Sequence, residues 1–268
     1  HRYRDWRPHG HGTVDISKAV TASCDTYFFN LASKMGLRRM VDILSQFGFG
    51  AQTGIDLDNE LPGLLGTPEW KMKARGQKWY EADTIMGGIG QGYMQVTPLQ
   101  MAVGVSTIAN RGKRFMPYLL LGEQQPGKHY VAQQPIPLDP VKGIEPATWD
   151  TVITAMANVI ETPLGTAYRF GKNRPYTAAA KTGTAQLIAA HRANENELDK
   201  QENVPERLRD HHLLIIFAPV DNPQIALGII TENSYATIET ARSILDYFFG
   251  NEPHVNRKPE TETKKTAT

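Results

Sequence analysis

The sequence predicts one α/β domain of the α+β layer type, with helices packed around an antiparallel sheet. Three observations lead there. Capped segments with apolar residues at helical spacing fill much of the first 161 positions and recur near the end. Strand-like runs crowd residues 176–232, the last two joined by the turn signal Asp221-Asn222-Pro223. No internal repeat interrupts the pattern, and with 268 residues, 40% of them hydrophobic, the chain can bury a sizeable core.

The opening residues 1–12 are rich in His, Arg and Gly with no apolar period, and are expected to be a cut end of a larger domain. Helices are predicted at 15–35 and 37–47, each followed by a glycine, Gly36 and Gly48, where left-handed backbone is needed. Together they read as an α-hairpin. Residues 49–96 read mostly as loop. Thr97 as cap and Pro98 in the first turn open a helix whose apolar residues Leu99, Met101, Ala102, Val105, Ile108 and Ala109 recur until Gly112.

A strand follows at 115–121, an excursion over 122–145, and a helix over 146–161 with Trp149, Val152, Ile153, Met156 and Ile160 on one side. Strands are predicted at 176–188, 211–220 and 224–232, the last two as a hairpin. An amphipathic helix at 238–249 closes the domain, 1–250, and the polar tail 251–268 is expected to be disordered. Residues 191–209 read as a charged, solvated insertion.

Composition narrows the function. Lys and Arg number 29 against 28 Asp and Glu, so no positive field argues for nucleic acid or an anionic membrane surface. No apolar run approaches the roughly 20 residues needed to cross a bilayer, so any membrane anchor is expected upstream. Cys24 is the single cysteine, which excludes an intrachain disulfide. The Gly-rich stretch 87–92 lacks the lysine of a phosphate loop, and no organic cofactor is implied.

The sharpest chemical signal is Lys181-Thr182-Gly183-Thr184. A strand alternates its faces, so Lys181 and Gly183 share one side. A cation there can bind a carboxylate or polarise a serine, and a glycine lets a substrate backbone come close and add as a strand. The amide of Thr184 is then placed to donate to an oxyanion. The plainer reading of the bare tripeptide is an edge strand with a surface lysine.

Lys-Thr-Gly is the third signature of the penicillin-recognising serine enzymes. The second has a candidate in Ser23-Cys24-Asp25, which can serve one cleft only at a helix end, since residues two apart do not share a helix face. The plainer role for Asp25 is a helix N-cap. The first, Ser-x-x-Lys, is absent, because no serine has a lysine three residues on. The nucleophile is therefore expected before His1.

RYRDW, Ser23-Cys24-Asp25-Thr26, TGIDL, GIGQG at 88–92, TPLQM, KTGTAQ, ERLRDH and FAP, in that order, resemble the penicillin-binding protein 2 family across nearly the whole chain. The resemblance implies an elongation-specific peptidoglycan D,D-transpeptidase on the periplasmic face of the bacterial inner membrane. It implies a β-lactamase-like transpeptidase fold with a five-stranded antiparallel sheet, truncated here at its N-terminus. Peptidoglycan stem peptides and β-lactams are the expected ligands, and a membrane glycosyltransferase and a scaffold of the elongation machinery the expected partners.

By the same resemblance Lys181 and Thr182 hold the ligand carboxylate, Thr184 serves the oxyanion hole, and Ser23 and Asp25 line the cleft and relay protons. Gln91 or Tyr93 falls near substrate. Asp5, His11 and Cys24 offer oxygen, nitrogen and sulfur, yet their wide spacing is no zinc motif by itself, and the plainer reading is a solvated aspartate, a loop histidine and a small buried cysteine. The family implies a structural zinc on these three, with a fourth ligand, an aspartate, upstream; His9 is a candidate substitute. Two alternatives remain at this stage, a non-catalytic penicillin sensor or wall-synthesis scaffold, and a β-lactamase.

Overall fold

The computed structural model describes residues 3–171, 173–186 and 205–250. Helix α1, Ile16–Ala22, starts at Asp15, whose carboxylate accepts from the Lys18 amide, and α2 runs from Asp25 to Gln46. The helix expected at 15–35 is therefore two helices. Ser23 adopts left-handed backbone, φ 54°, and its amide and that of Cys24 turn back to the carbonyls of Val20 and Ala19. The apolar period runs on through this break, so periodicity does not reveal it. Gly36, at φ 76° and ψ 159°, interrupts the helical path inside α2 where a boundary was expected.

Residues 49–96 hold more structure than the predicted loop. They contain β1 (Leu64–Leu65), α3 (Pro68–Arg75), α4 (Glu81–Gly87) and β2 (Met94–Gln95), with β1 and β2 paired antiparallel. Helix α3 has the same opening as the helix that begins at Pro98, a threonine cap, Thr67, and a proline, Pro68, but is too short for a period to stand out.

Helix α5, Pro98–Ala109, begins with a capping box: Thr97 accepts from the Gln100 amide, and the Gln100 side chain accepts from the Thr97 amide. The rest of Gln100, 2% exposed, donates to the carbonyls of Ala51 and Pro62 and ties the preceding segment to α5.

The strand expected at 115–121 is β3, Arg114–Met116, which pairs with β6, Ile136–Leu138. Pro117 follows β3 with no amide hydrogen to give, and the amides of Leu119 and Leu120 go to the Asp56 carboxylate at 2.6 and 2.9 Å. Between them β4 (Gly122–Glu123) pairs with β5 (Val131–Ala132).

Helix α6, Pro146–Glu161, precedes the main sheet of β7 (Ala179–Ala185), β8 (His211–Ala218) and β9 (Ile225–Thr231), in that order and antiparallel throughout. The hairpin across Asp221-Asn222-Pro223 forms as expected. Of the five strands implied by the family resemblance, these three lie among the described residues. Helix α7, Thr237–Gly250, closes the fold. The tail 251–268 and residues 191–204 of the predicted insertion lie outside the described residues.

Strand alternation divides the core. Ala180, Leu214, Ile216 and Ala218 pack with Ile238, Ala241 and Leu245 of α7, whereas Ala179 and Phe217 face Val105 and Ala109 of α5 and Ile153 and Met156 of α6. Lys181 has the parity of Ala179 and so faces the α5 and α6 side. Helix α1 lies on α6, where buried Thr21 donates to the Ala155 carbonyl at 3.1 Å. The C-terminal end of α1 is thereby brought to Lys181.

Candidate active site

Two turns and one strand make the cleft. Ser23 sits at the junction of α1 and α2, and Lys181 Nζ donates to its Oγ at 2.8 Å and to the Thr182 carbonyl at 2.8 Å. A left-handed non-glycine residue costs conformational energy, and here the strain places the hydroxyl within reach of the cation. Asp25 occupies the first turn of α2. The N-cap is Cys24, not Asp25, which corrects the plainer expectation for that carboxylate.

Burial pushes Lys181 down to about 8, with the charge of Asp25 pulling it the other way. Burial first, and the Asp5 carboxylate second, push Asp25 up, against the amide of Trp6, which donates to Asp25 Oδ2 at 3.1 Å. Trp6 was not anticipated. Its indole Nε1 donates to the Ser23 carbonyl at 2.8 Å and to the Ala22 carbonyl at 3.2 Å, so one residue steadies the whole Ser-x-Asp turn.

Among the described residues, strand β7 forms one edge of the sheet. Its Thr182 carbonyl takes the Lys181 ammonium and its Thr184 carbonyl takes Gln91 Nε2 at 3.2 Å, so both point away from β8. In an antiparallel strand the N–H and C=O of one residue point the same way, so the Thr184 amide also faces outward. Gly183 has ordinary space around it: an added Cβ would meet nothing nearer than the Leu213 Cβ at 3.4 Å. The fold does not demand a glycine there, whereas a ligand backbone lying along the edge would.

Of the two residues expected near substrate, Gln91 reaches β7, whereas Tyr93 packs against Trp70 and Trp79. Thr166, unremarked in the sequence, lies with its Oγ1 2.6 Å from Thr182 Oγ1. Its only signal is the short Gly165-Thr166 turn after α6, which no periodicity marks.

Asp5, His11 and Cys24 converge behind the Ser23 turn, their donor atoms within 4.8 Å of one another. His11 Nδ1 lies 3.2 Å from Asp5 Oδ1, and Cys24 Sγ 3.3 Å from Asp5 Oδ2. Two ligands of one tetrahedral zinc stand about 3.3–3.7 Å apart for bonds of about 2.0–2.3 Å, and these two contacts, made to different Asp5 oxygens, are of that order, so a small closure would bring one donor atom from each residue to that spacing. Nε2 of buried His11 has no hydrogen-bond partner among the described residues, and Nδ1 meets only the Asp5 carboxylate, outside hydrogen-bond geometry, an arrangement that a metal would relieve. The three residues fit a zinc ion. Despite burial, the amides of Arg7 and Thr26 hold Asp5 below the usual carboxylate range, as an ionised ligand requires. His9 is exposed and lies outside this group.

A helix-flanked antiparallel sheet whose open edge presents Lys-Thr-Gly to a serine turn defines a domain of the penicillin-recognising class. The chain belongs to the penicillin binding protein transpeptidase domain family, whose model matches residues 1–248. It is 42% identical over 253 residues to the peptidoglycan D,D-transpeptidase MrdA of Salmonella typhimurium, covering 92% of this chain and 40% of that one. It is 40% identical to MrdA of Escherichia coli K12, covering 92% of this chain and 39% of the other. Among solved structures, penicillin-binding protein 2 of Pseudomonas aeruginosa, in complex with WCK 5153, is similar with TM-score 0.75 and 36% identity, over 94% of this chain and 53% of that one. The complex of penicillin-binding protein 2 and MreC from Helicobacter pylori gives TM-score 0.76 and 28% identity, over 93% and 43%. The chain thus spans about 40% of the length of the curated relatives it matches.

Proposed function

We propose that this chain supplies two walls of the active site of a peptidoglycan D,D-transpeptidase. The observation that carries the reading is the Lys181–Ser23 contact at an open sheet edge. In this reading the terminal carboxylate of a D-Ala-D-Ala stem peptide, or that of a β-lactam, rests on the Lys181 ammonium and the Thr182 hydroxyl. The peptide backbone adds along β7 as a further strand, and the Thr184 amide meets the oxyanion as the carbonyl is attacked.

The nucleophile is a serine of a Ser-x-x-Lys signature in sequence preceding His1. Its Oγ bonds to the penultimate D-Ala carbonyl, the terminal D-Ala leaves with a proton, and an amine of a neighbouring stem peptide then displaces the serine. Ser23, already accepting from Lys181, passes the proton towards the leaving nitrogen, and Asp25 moderates the charge on Lys181.

Asp5, His11 and Cys24 would hold a structural zinc, which supplies no bond-making chemistry and clamps the turn that carries Ser23. The protein containing this chain works at the periplasmic face of the inner membrane, with a membrane glycosyltransferase and a scaffold of the MreC kind as partners. Among the described residues no helix is long and apolar enough to cross a membrane.

Intact mass after incubation with excess benzylpenicillin tests the reading. The full-length protein should gain one acyl adduct that persists for hours, and this chain alone none. A stoichiometric adduct on this chain would make a serine within it, such as Ser23, the nucleophile, and rapid turnover by the full-length protein would indicate a β-lactamase.

A further inference from the structure

Thr182 can bind a carboxylate only as a donor. A hydroxyl has one proton and two acceptor lone pairs, so a Thr182 proton spent inside the protein would leave lone pairs facing an anion. The contact that decides this is with Thr166, at 2.6 Å, in which either oxygen can be the donor.

The turn holding Thr166 has little freedom. The Gly165 amide donates to the Thr162 carbonyl, and the Ala167 amide reaches back to Val159. A Cβ on Gly165 would sit 2.1 Å from the Val159 carbonyl oxygen, so only glycine fits. Ala167, on the other side, is fully buried in the core cluster beneath α7. Thr166 is therefore pinned on both flanks, and its hydroxyl is delivered to Thr182 by the fold.

We propose that Thr166 is a positioning residue for the ligand carboxylate: its hydroxyl donates to Thr182 Oγ1, so that the Thr182 proton points into the cleft. The inference rests on the transpeptidase reading and adds to it a residue outside the three signatures. Thr166 touches no ligand and acts through Thr182. Loss of its hydroxyl should weaken recognition of ligands that carry the carboxylate and leave carboxylate-free ligands unaffected.

The test compares acylation efficiency of the full-length protein by benzylpenicillin and by its methyl ester, from mass time courses. Wild type should prefer the acid. Thr166→Val should slow acylation by the acid about 2–10-fold, the worth of one net hydrogen bond, with the ester rate unchanged, and Thr166→Ser should restore the acid rate. Equal loss with both ligands, or no loss with either, overturns the proposal. Thr166→Ala repeats the comparison should the valine variant melt at lower temperature. Failure of wild type to form any adduct would instead sink the transpeptidase reading, and this inference with it.

Discussion

Lys181 Nζ donates to Ser23 Oγ at 2.8 Å across 158 residues of sequence, and this one contact joins the strand wall of the cleft to its helical wall. Because burial pushes Lys181 down to about 8, its charge is lost within an accessible pH range. Acylation efficiency for a carboxylate-bearing β-lactam should fall about tenfold between pH 7 and 9, as the charged fraction of a group titrating near 8 falls. The methyl ester should show no such fall, and a flat acid profile to pH 9.5 would contradict the assignment. For stability the sign is opposite. The unfolded lysine titrates near 10.5, so the unfolded chain holds more protons between about 8 and 10.5, and the Lys181 contribution favours folding increasingly as pH rises through that window.

Purified without chelator, the protein should contain about one zinc per chain by elemental analysis. His11→Ala should abolish it and lower Tm by about 4–8 °C, corresponding to about 2 kcal/mol in a domain of this size. Zinc content near zero in the wild type would remove the metal from the account of Asp5, His11 and Cys24.

Gly183→Ala separates folding from binding. The nearest contact of the new methyl is 3.4 Å, so stability should change by less than about 1 kcal/mol, while β-lactam acylation drops at least tenfold because a ligand strand can no longer lie against the edge. Circular-dichroism melts beside acylation time courses decide it, and unchanged acylation would count against strand addition at β7.

Gln100→Leu should destabilise by about 2–4 kcal/mol, since it leaves the carbonyls of Ala51 and Pro62 and the Thr97 amide without the partners they now have. Limited proteolysis should then cut first within 49–96. A melting temperature like that of the wild type would show that water replaces the side chain at no cost.

The long elements were legible in the sequence because each carried a cap and a period: Thr97-Pro98 for α5, the one-sided apolar residues of α6, and the Asp221-Asn222-Pro223 turn between β8 and β9. What escaped was set either by local backbone closure that leaves the apolar period intact or by contacts distant in sequence. The break at Ser23 depends on backbone closure at Val20 and Ala19, and the early end of β3 on Asp56 capturing the amides of Leu119 and Leu120. Within the site, Lys181, Thr182, Gly183 and Thr184 were readable as a motif, whereas Trp6, with three hydrogen bonds to the Ser-x-Asp turn, and Thr166, with one to Thr182, act through contacts that no local pattern records.

The edge of β7 carries a risk that grows out of its use. If its outward amides and carbonyls take a peptide, as proposed, the same strand also offers them to any other extended chain, including a partly unfolded copy of itself. Gln91, lying across the Thr184 carbonyl, covers one of those acceptors until something better arrives. The side chain beside the cleft thus also leaves one fewer acceptor on that edge for an unwanted strand to pair with.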